Sequence, residues 1–285
     1  LDEHAREVLL AAGGARVSRF GDGSAMTQAF PDRDELQLDP RLGLLYDATD
    51  AVALRASVYR AFRAPTLNEL YRPFQVGTIL TEANPDLEPE TLWGAEAGPQ
   101  LVVDGVVARA TGFYNRLDGA VANVTLAEPL PSGATRQRQN LGRSRIAGLE
   151  LDLSWRPRAA WYVLVAYTFA DARITDAPMA PELVGNRLPQ DPRHRAVASL
   201  TFDDARWLTA TAQVRHMGRQ FEDDRETLPM ADATVVDARV ARALGAGLTV
   251  FASVQNLLDR RYLVGRAGVD TEGAPRMFEL GLVYR

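Results

Sequence analysis

Leu149-Glu150-Leu151-Asp152-Leu153-Ser154-Trp155 is the stretch that decides how this chain is read. Its odd positions are apolar, and its even positions carry charge or hydroxyl. Successive side chains of a strand point to opposite faces, so the segment has one apolar wall and one wet wall. Outward from it, about a dozen stretches of roughly 10 residues repeat the alternation, joined in turn by tight turns and long polar loops. Turns that are short at one end only describe an all-β, transmembrane, antiparallel up-and-down β-barrel of about twelve strands. A strand of roughly 10 residues tilted by about 40° rises roughly 25 Å, the height of the apolar band of such a barrel.

The pattern predicts a hairpin over residues 41–46 and 52–62, closed at 47–50. A second joins 91–102 to 106–115 across Asp104-Gly105, a strong turn signal. Residues 145–155 turn through 156–159 into 160–172, and 195–202 turn at Asp203-Asp204 into 207–218. Residues 234–244 turn through 245–247 into 248–256, and 277–285 form the last strand. Residues 1–12 have helical propensity, yet read together with 13–20 they make a frayed first strand. Trp155 and Trp161 flank one tight turn, Trp207 follows another, and Tyr46 and Phe202 precede two of them. Rings gathered at the short-turn ends form an interfacial girdle, which places short turns in the periplasm and long loops outside. On a soluble reading the same rings cap a sandwich core. The many plain Ala, Val and Leu positions on the apolar faces favour the girdle.

With 285 residues the chain fits one large β domain. It has no cysteine, so neither a disulfide framework nor a thiolate zinc site is possible. A net charge of −5 and a pI near 5.4 argue against nucleic acid as a partner. There is no run of about 18 apolar residues, which excludes a spanning helix. A mean hydropathy of −0.17 does not exclude a barrel, which offers lipid only every second residue. Leu1-Asp2-Glu3-His4 does not open a basic-then-apolar export signal, so the expectation is that the chain begins inside a longer protein. His4, His194 and His216 lack metal-ligand spacing, and no metal or cofactor is expected. An outer-membrane phospholipase would need an organised Ser–His pair. Ser199 near His194 is the nearest approach to one, and no catalytic residue is assigned.

Four segments resemble TonB-dependent outer-membrane receptors. Phe62-Arg63-Ala64-Pro65-Thr66-Leu67-Asn68-Glu69-Leu70-Tyr71 is similar to the family's FRAPT…EL(Y/F) signature, and Asn84-Pro85-Asp86-Leu87-Glu88-Pro89-Glu90 to its NPxLxPE element. Asn140-Leu141-Gly142-Arg143-Ser144-Arg145-Ile146-Ala147-Gly148-Leu149-Glu150 resembles the N-x-G-x-x-x-x-x-G-x-E strand entry. Asn256-Leu257-Leu258-Asp259-Arg260-Arg261-Tyr262 resembles the NLxDxxY element before the final strand. The physics of these residues is that of strand ends and turns. Pro65 has no N–H and disfavours helix at Ala64, Pro85 and Pro89 hold the return segment extended, and Asn256 and Asp259 shape a turn. Such residues are expected to build the barrel and its loops rather than touch ligand.

The resemblance implies that residues 1–285 are the C-terminal part of a 22-stranded plugged barrel, with the plug and early strands absent. The last strand departs from the family, which usually ends in an aromatic, where this chain ends Leu282-Val283-Tyr284-Arg285. It also implies a place in a Gram-negative outer membrane, outer-membrane lipid around the wall, and a small nutrient such as a ferric siderophore or cobalamin as ligand. The TonB complex would act only through the missing plug. Arg55, Glu150, Asp152, Asp237 and Arg239 are expected on the lumen face. Tyr71, Arg72 and Phe74 pair aromatics with a cation on the longest loop and form a candidate ligand cluster. Residues 63–90 hold two Arg against five acids and residues 115–144 four Arg against two acids, so no basic funnel singles out an anionic ligand. Two rival readings remain: a passive porin-like channel and a soluble β-sandwich binding module.

Overall fold

The computed structural model describes residues 14–20 and 33–284, so the first-strand reading of residues 1–13 and the final Arg285 lie outside the described residues. The chain opens with β1 (Gly14–Phe20), β2 (Arg33–Asp39), β3 (Arg41–Asp47) and β4 (Val52–Arg63). A short helix α1 (Leu67–Tyr71) and the loop strands β5 (Phe74–Val76) and β6 (Ile79–Glu82) lead to β7 (Glu90–Val103) and β8 (Val106–Asp118). The next loop holds β9 (Val121–Thr125) and β10 (Arg136–Asn140), ahead of β11 (Arg143–Arg158) and β12 (Trp161–Asp176). Then come β13 (His194–Asp204) and β14 (Leu208–Met217), with β15 (Gln220–Phe221) and β16 (Pro229–Met230) in the loop beyond. β17 (Ala233–Gly245) and β18 (Leu248–Gln255) follow, then β19 (Leu263–Gly265) and β20 (Thr271–Glu272), and finally β21 (Met277–Tyr284).

Eleven of these strands form one antiparallel sheet in the order β3-β4-β7-β8-β11-β12-β13-β14-β17-β18-β21. Each strand pairs with the wall strands before and after it in the chain, which is the up-and-down meander that the alternation predicts. The expected twelfth is β1, which pairs with β2 in a sheet of its own. Only Pro40 parts β2 from β3; it brings no N–H to a ladder, although its carbonyl still accepts the Arg60 amide at 2.9 Å. Two predicted turns move. β11 and β12 extend to Arg158 and from Trp161, across a register shift after Trp155, and β13 continues through Asp204. Asp203 and Asp204 therefore lie in the strand rather than in the turn. The helix and the short loop strands were not predicted, being too short to show a period.

Register sorts the side chains into two faces. Leu149 stands opposite Gly112 and Phe169, Leu151 opposite Ala110 and Tyr167, and Leu153 opposite Ala108 and Val165. This face looks outward: Leu149 and Leu151 are 38% and 39% exposed, and Leu280 on β21 reaches 82%. The other face carries Arg55, Glu150, Asp152, Asp237 and Arg239, together with cross-strand polar bonds. Ser57 donates to Glu96 at 2.9 Å, Arg215 to Asp237 at 2.9 Å and Ser253 to Glu279 at 3.1 Å, and the Thr201 and Thr211 hydroxyls meet at 3.0 Å. Trp155, Trp161 and Trp207 are exposed near the short turns, and the Trp161 and Phe202 rings lie 5.1 Å apart.

Three cross-strand pairs on the polar face set an aromatic ring against a glycine: Tyr59 opposite Gly94, Phe113 opposite Gly148 and Phe251 opposite Gly281. A Cβ on Gly94 or Gly281 would fall 2.4 Å from the partner ring, and one on Gly148 2.6 Å from Phe113. Gly98 and Pro99 interrupt the ladder between β7 and β8, while pairing with β4 runs through both residues. A proline inside a predicted strand is thus accommodated without losing register.

Leu151→Arg, near mid-height on the outward face, should destabilise the folded protein in lipid vesicles by about 2–4 kcal/mol. Asp152→Arg on the opposite face should cost much less. Urea unfolding of both variants checks this, and equal costs would contradict the two-faced wall.

Candidate functional site

The outer rim is organised around one guanidinium. Arg63, the last residue of β4, forks onto Glu90, the first residue of β7, with Nε–Oε2 at 2.6 Å and Nη2–Oε1 at 2.8 Å. The two are ladder partners, so the fork closes the base of the loop between them. Arg63 Nη1 also donates to Glu69 Oε2 at 2.8 Å, and the Val121 amide donates to Glu90 Oε1 at 2.6 Å. Phe62 precedes the fork and Pro65, which is buried, follows it. Thr66 then caps α1: its hydroxyl accepts the Glu69 amide at 3.2 Å, while its own amide donates to Glu69 Oε2 at 2.7 Å. Such a capping box satisfies two donors that a five-residue helix would otherwise leave open.

The second motif rests on the first. The Asn84 amide donates to the Glu69 carbonyl at 3.1 Å, and Asn84 Oδ1 accepts the Asp86 amide at 3.0 Å, turning the chain between Pro85 and Pro89. Asn140, which opens the third motif, exchanges two 2.8 Å bonds with the Glu88 backbone and donates to the Gly119 carbonyl at 2.6 Å. In the fourth motif Asn256 and Asp259 take φ of +51° and +52°. Asn256 is 2% exposed and donates to the carbonyls of Arg260 and Ala274, while Asp259 Oδ1 accepts the Arg276 amide at 3.1 Å. Tyr262 lies against Gly273, whose added Cβ would stand 2.2 Å from the ring.

Inside the rim, five loops line a half-open cavity of about 620 Å³. The loop from Arg63 supplies Phe74 and Ile79, the next supplies Arg136 and Arg138, and the others reach in with Leu188, Asp224 and Ala267. Most of the charge there is already engaged. Glu69 and Glu90 hold Arg63, and Asp224 accepts the Thr125 amide and hydroxyl at 3.1 and 2.9 Å. Asp223 accepts the Thr227 hydroxyl at 2.7 Å, and Glu222 accepts Gln190 Nε2 at 3.0 Å. Arg138 lies 4.9 Å from the Phe74 ring centroid and donates to the carbonyls of Asn68 and Arg72. Arg136 forms neither a salt bridge nor a side-chain hydrogen bond among the described residues.

Of the ligand cluster expected from sequence, Phe74 lines the cavity, whereas Tyr71 and Arg72 stand at the end of α1 beyond the lining residues. The His194 ring meets Tyr167 Oη at 2.8 Å, and His216 meets Thr234 Oγ1 at 2.9 Å. Ser199 lies five residues along β13 from His194, roughly 17 Å of strand and on the opposite face, so no Ser–His pair forms there. Glu69 is named in the sequence only as part of the first motif, and Arg136 and Arg138 are not singled out there. Thr66-Leu67-Asn68-Glu69 has the T-x-x-E form of a capping box, the signal through which Glu69 was legible.

A family model described as TonB dependent receptor-like, beta-barrel matches residues 7–257. The chain is 28% identical over 230 residues to the metal-pseudopaline receptor CntO of Pseudomonas aeruginosa, covering 78% of this chain and 30% of that protein. It is 27% identical over 259 residues to the iron-regulated outer membrane virulence protein of Vibrio cholerae, covering 85% and 38%. The siderophore receptor PiuA of Acinetobacter baumannii superposes at a TM-score of 0.73 with 18% identity, over 92% of this chain and 38% of that one. The chain thus spans 30% to 38% of the length of these curated relatives.

Burial pushes the Glu69 carboxyl up, but the Arg63 guanidinium and the Thr66 amide and hydroxyl together leave it below the ordinary range. A depressed carboxylate stabilises fully above its unfolded value of about 4.3 and loses that contribution as pH falls through the folded one. Proteolysis of the loop over residues 64–89 should therefore stay slow at neutral pH and accelerate below about pH 4.3. Glu69→Gln should flatten that acid dependence, and an unchanged profile would count against the clamp. Glu90→Ala leaves Arg63 half-paired and the Val121 amide unbonded, and should cost about 1–3 kcal/mol in thermal unfolding.

Proposed function

The chain belongs to the TonB-dependent receptor β-barrel family, and on that premise we propose that it is the C-terminal wall and outer loops of a Gram-negative outer-membrane receptor. Its cargo is a scarce nutrient of the class of ferric siderophores or cobalamin, imported with energy from the TonB complex. The observation that carries this reading is the convergence of five loops, far apart in sequence, on one cavity inside the rim. A wall that served only as a passive pore would have no need of five ordered loops converging on one cavity.

In this reading the loops capture the ligand, with the Phe74 ring and the Arg136 guanidinium as contacts and Tyr71 and Arg72 beside them. A plug filling the lumen blocks passage until the TonB complex displaces it, and the polar wall face gives that plug a wet, hydrogen-bonding surface. The names of the relatives support a nutrient cargo: metal-pseudopaline, iron-regulated and siderophore receptors.

The test uses the full-length protein in proteoliposomes and in cells. A panel of ferric siderophores and cobalamin should include one that binds, and Phe74→Ala with Arg136→Ala should weaken that binding about tenfold. Steady ion conductance through a planar bilayer, with no binding by any member of the panel, would favour the passive channel and sink the receptor reading.

A further inference from the structure

One outward rung breaks the apolar pattern of the wall. Register aligns Arg60 with Trp93, Trp93 with Arg116, Arg116 with Arg145 and Arg145 with Arg173, a single row across β4, β7, β8, β11 and β12. Parity puts the row on the outward face, since Arg116 shares a face with Tyr114 and Arg145 with Leu149 and Leu151. On the same strands the intervening Ser144, Ala172 and Ile174 are buried beneath the loops. Like charges directly opposite one another on a sheet repel, so three adjacent arginines are a costly arrangement without anions.

The protein supplies too few. Arg116 and Arg143 share Asp118 at 2.9 and 3.0 Å, while Arg145, Arg173 and Arg193 share Asp171. Among the described residues, five guanidiniums thus lean on two carboxylates, and their side chains stay between 31% and 46% exposed. Arg60, at the end of the row, is held by Asp39 and Gln37.

Height matters as much as charge. Ten residues separate Arg145 from the girdle residue Trp155, roughly 33 Å of strand and about 25 Å of height at a tilt of about 40°. The arginines therefore stand at the upper edge of the apolar band, level with the headgroups of the outer leaflet. Beneath them Ala95 and Ala147 flank Tyr114 on the next rung, and below it Ala97, Gly112 and Ala110 leave a shallow column that opens into an apolar hollow of about 350 Å³ beside Leu101 and Leu151. Guanidinium forks match phosphate oxygens, and a column of small side chains admits acyl chains.

We propose that this outer face is a specific binding site for a phosphorylated glycolipid of the outer leaflet. The phosphates sit on Arg116, Arg145 and Arg173, and the acyl chains descend the small-residue column. The site lies on the opposite side of the wall from the loop cavity and is independent of the nutrient.

The experiment uses full-length protein extracted from outer membranes in mild detergent, with bound lipid counted by native mass spectrometry. Wild type should retain phosphorylated lipid A, and Arg116→Gln/Arg145→Gln/Arg173→Gln should bind it about a hundred-fold more weakly. The lumen-face control Arg55→Gln/Arg239→Gln should bind as wild type does. Should the triple variant fail to fold, delipidated wild type provides the second arm: lipid A should bind, while dephosphorylated lipid A and inorganic phosphate should not. Equal binding of the dephosphorylated lipid, equal binding of inorganic phosphate, or equal retention by the folded triple variant would each overturn the site.

Discussion

Hydrocarbon offers no partner to a peptide N–H or C=O, so every backbone polar group within the apolar band must be paired inside the protein. The long meander of antiparallel ladders answers that demand, and the rest of the architecture follows from it. Once the ladders are fixed, side chains can only alternate, and the two faces differ because their surroundings differ. Leu149, Leu151 and Leu153 go outward, and Ser57, Glu96, Arg215 and Asp237 go inward, where they bond across strands. Gly98-Pro99 is a local exception, giving up the ladder to β8 while keeping the one to β4.

Outside the band that constraint lapses, and charge takes over the work of the ladder. At the rim, Arg63, Glu69 and Glu90 join a strand end, a helix cap and a strand start within one set of bonds. Asn140 stitches the following loop to the same place. The loops are consequently ordered from their bases upward. The loops after β8 and β12 share a core that includes Val124, Leu141, Ile174 and Leu183, an apolar interior distinct from the wall.

The wall was legible in the sequence because period two is a local signal, and the register of Leu149, Leu151 and Leu153 follows from it. Turn positions were less legible. Asp203-Asp204 carries turn chemistry, yet the ladder runs through it, since pairing with Thr209 and Leu208 wins over local preference. The rim was partly legible. The motif residues Arg63, Thr66 and Glu90 could be named singly, but their union depends on β4 pairing with β7, which no single motif encodes. Arg136 and Arg138 carried no signal at all, because a short strand deep in a loop has neither period nor cap. The row of arginines is the opposite case: each member is visible in the sequence, and only the register reveals that they are neighbours.

The glycines facing Tyr59, Phe113 and Phe251 have a geometric consequence for the space the wall surrounds. With no Cβ beneath it, each ring reclines on the sheet, and over Phe251 the Arg239 guanidinium stacks 3.9 Å from the ring centroid. Room that an upright aromatic would occupy stays vacant. The clearance above the polar face is thus set at these levels by the smallest residue in the alphabet.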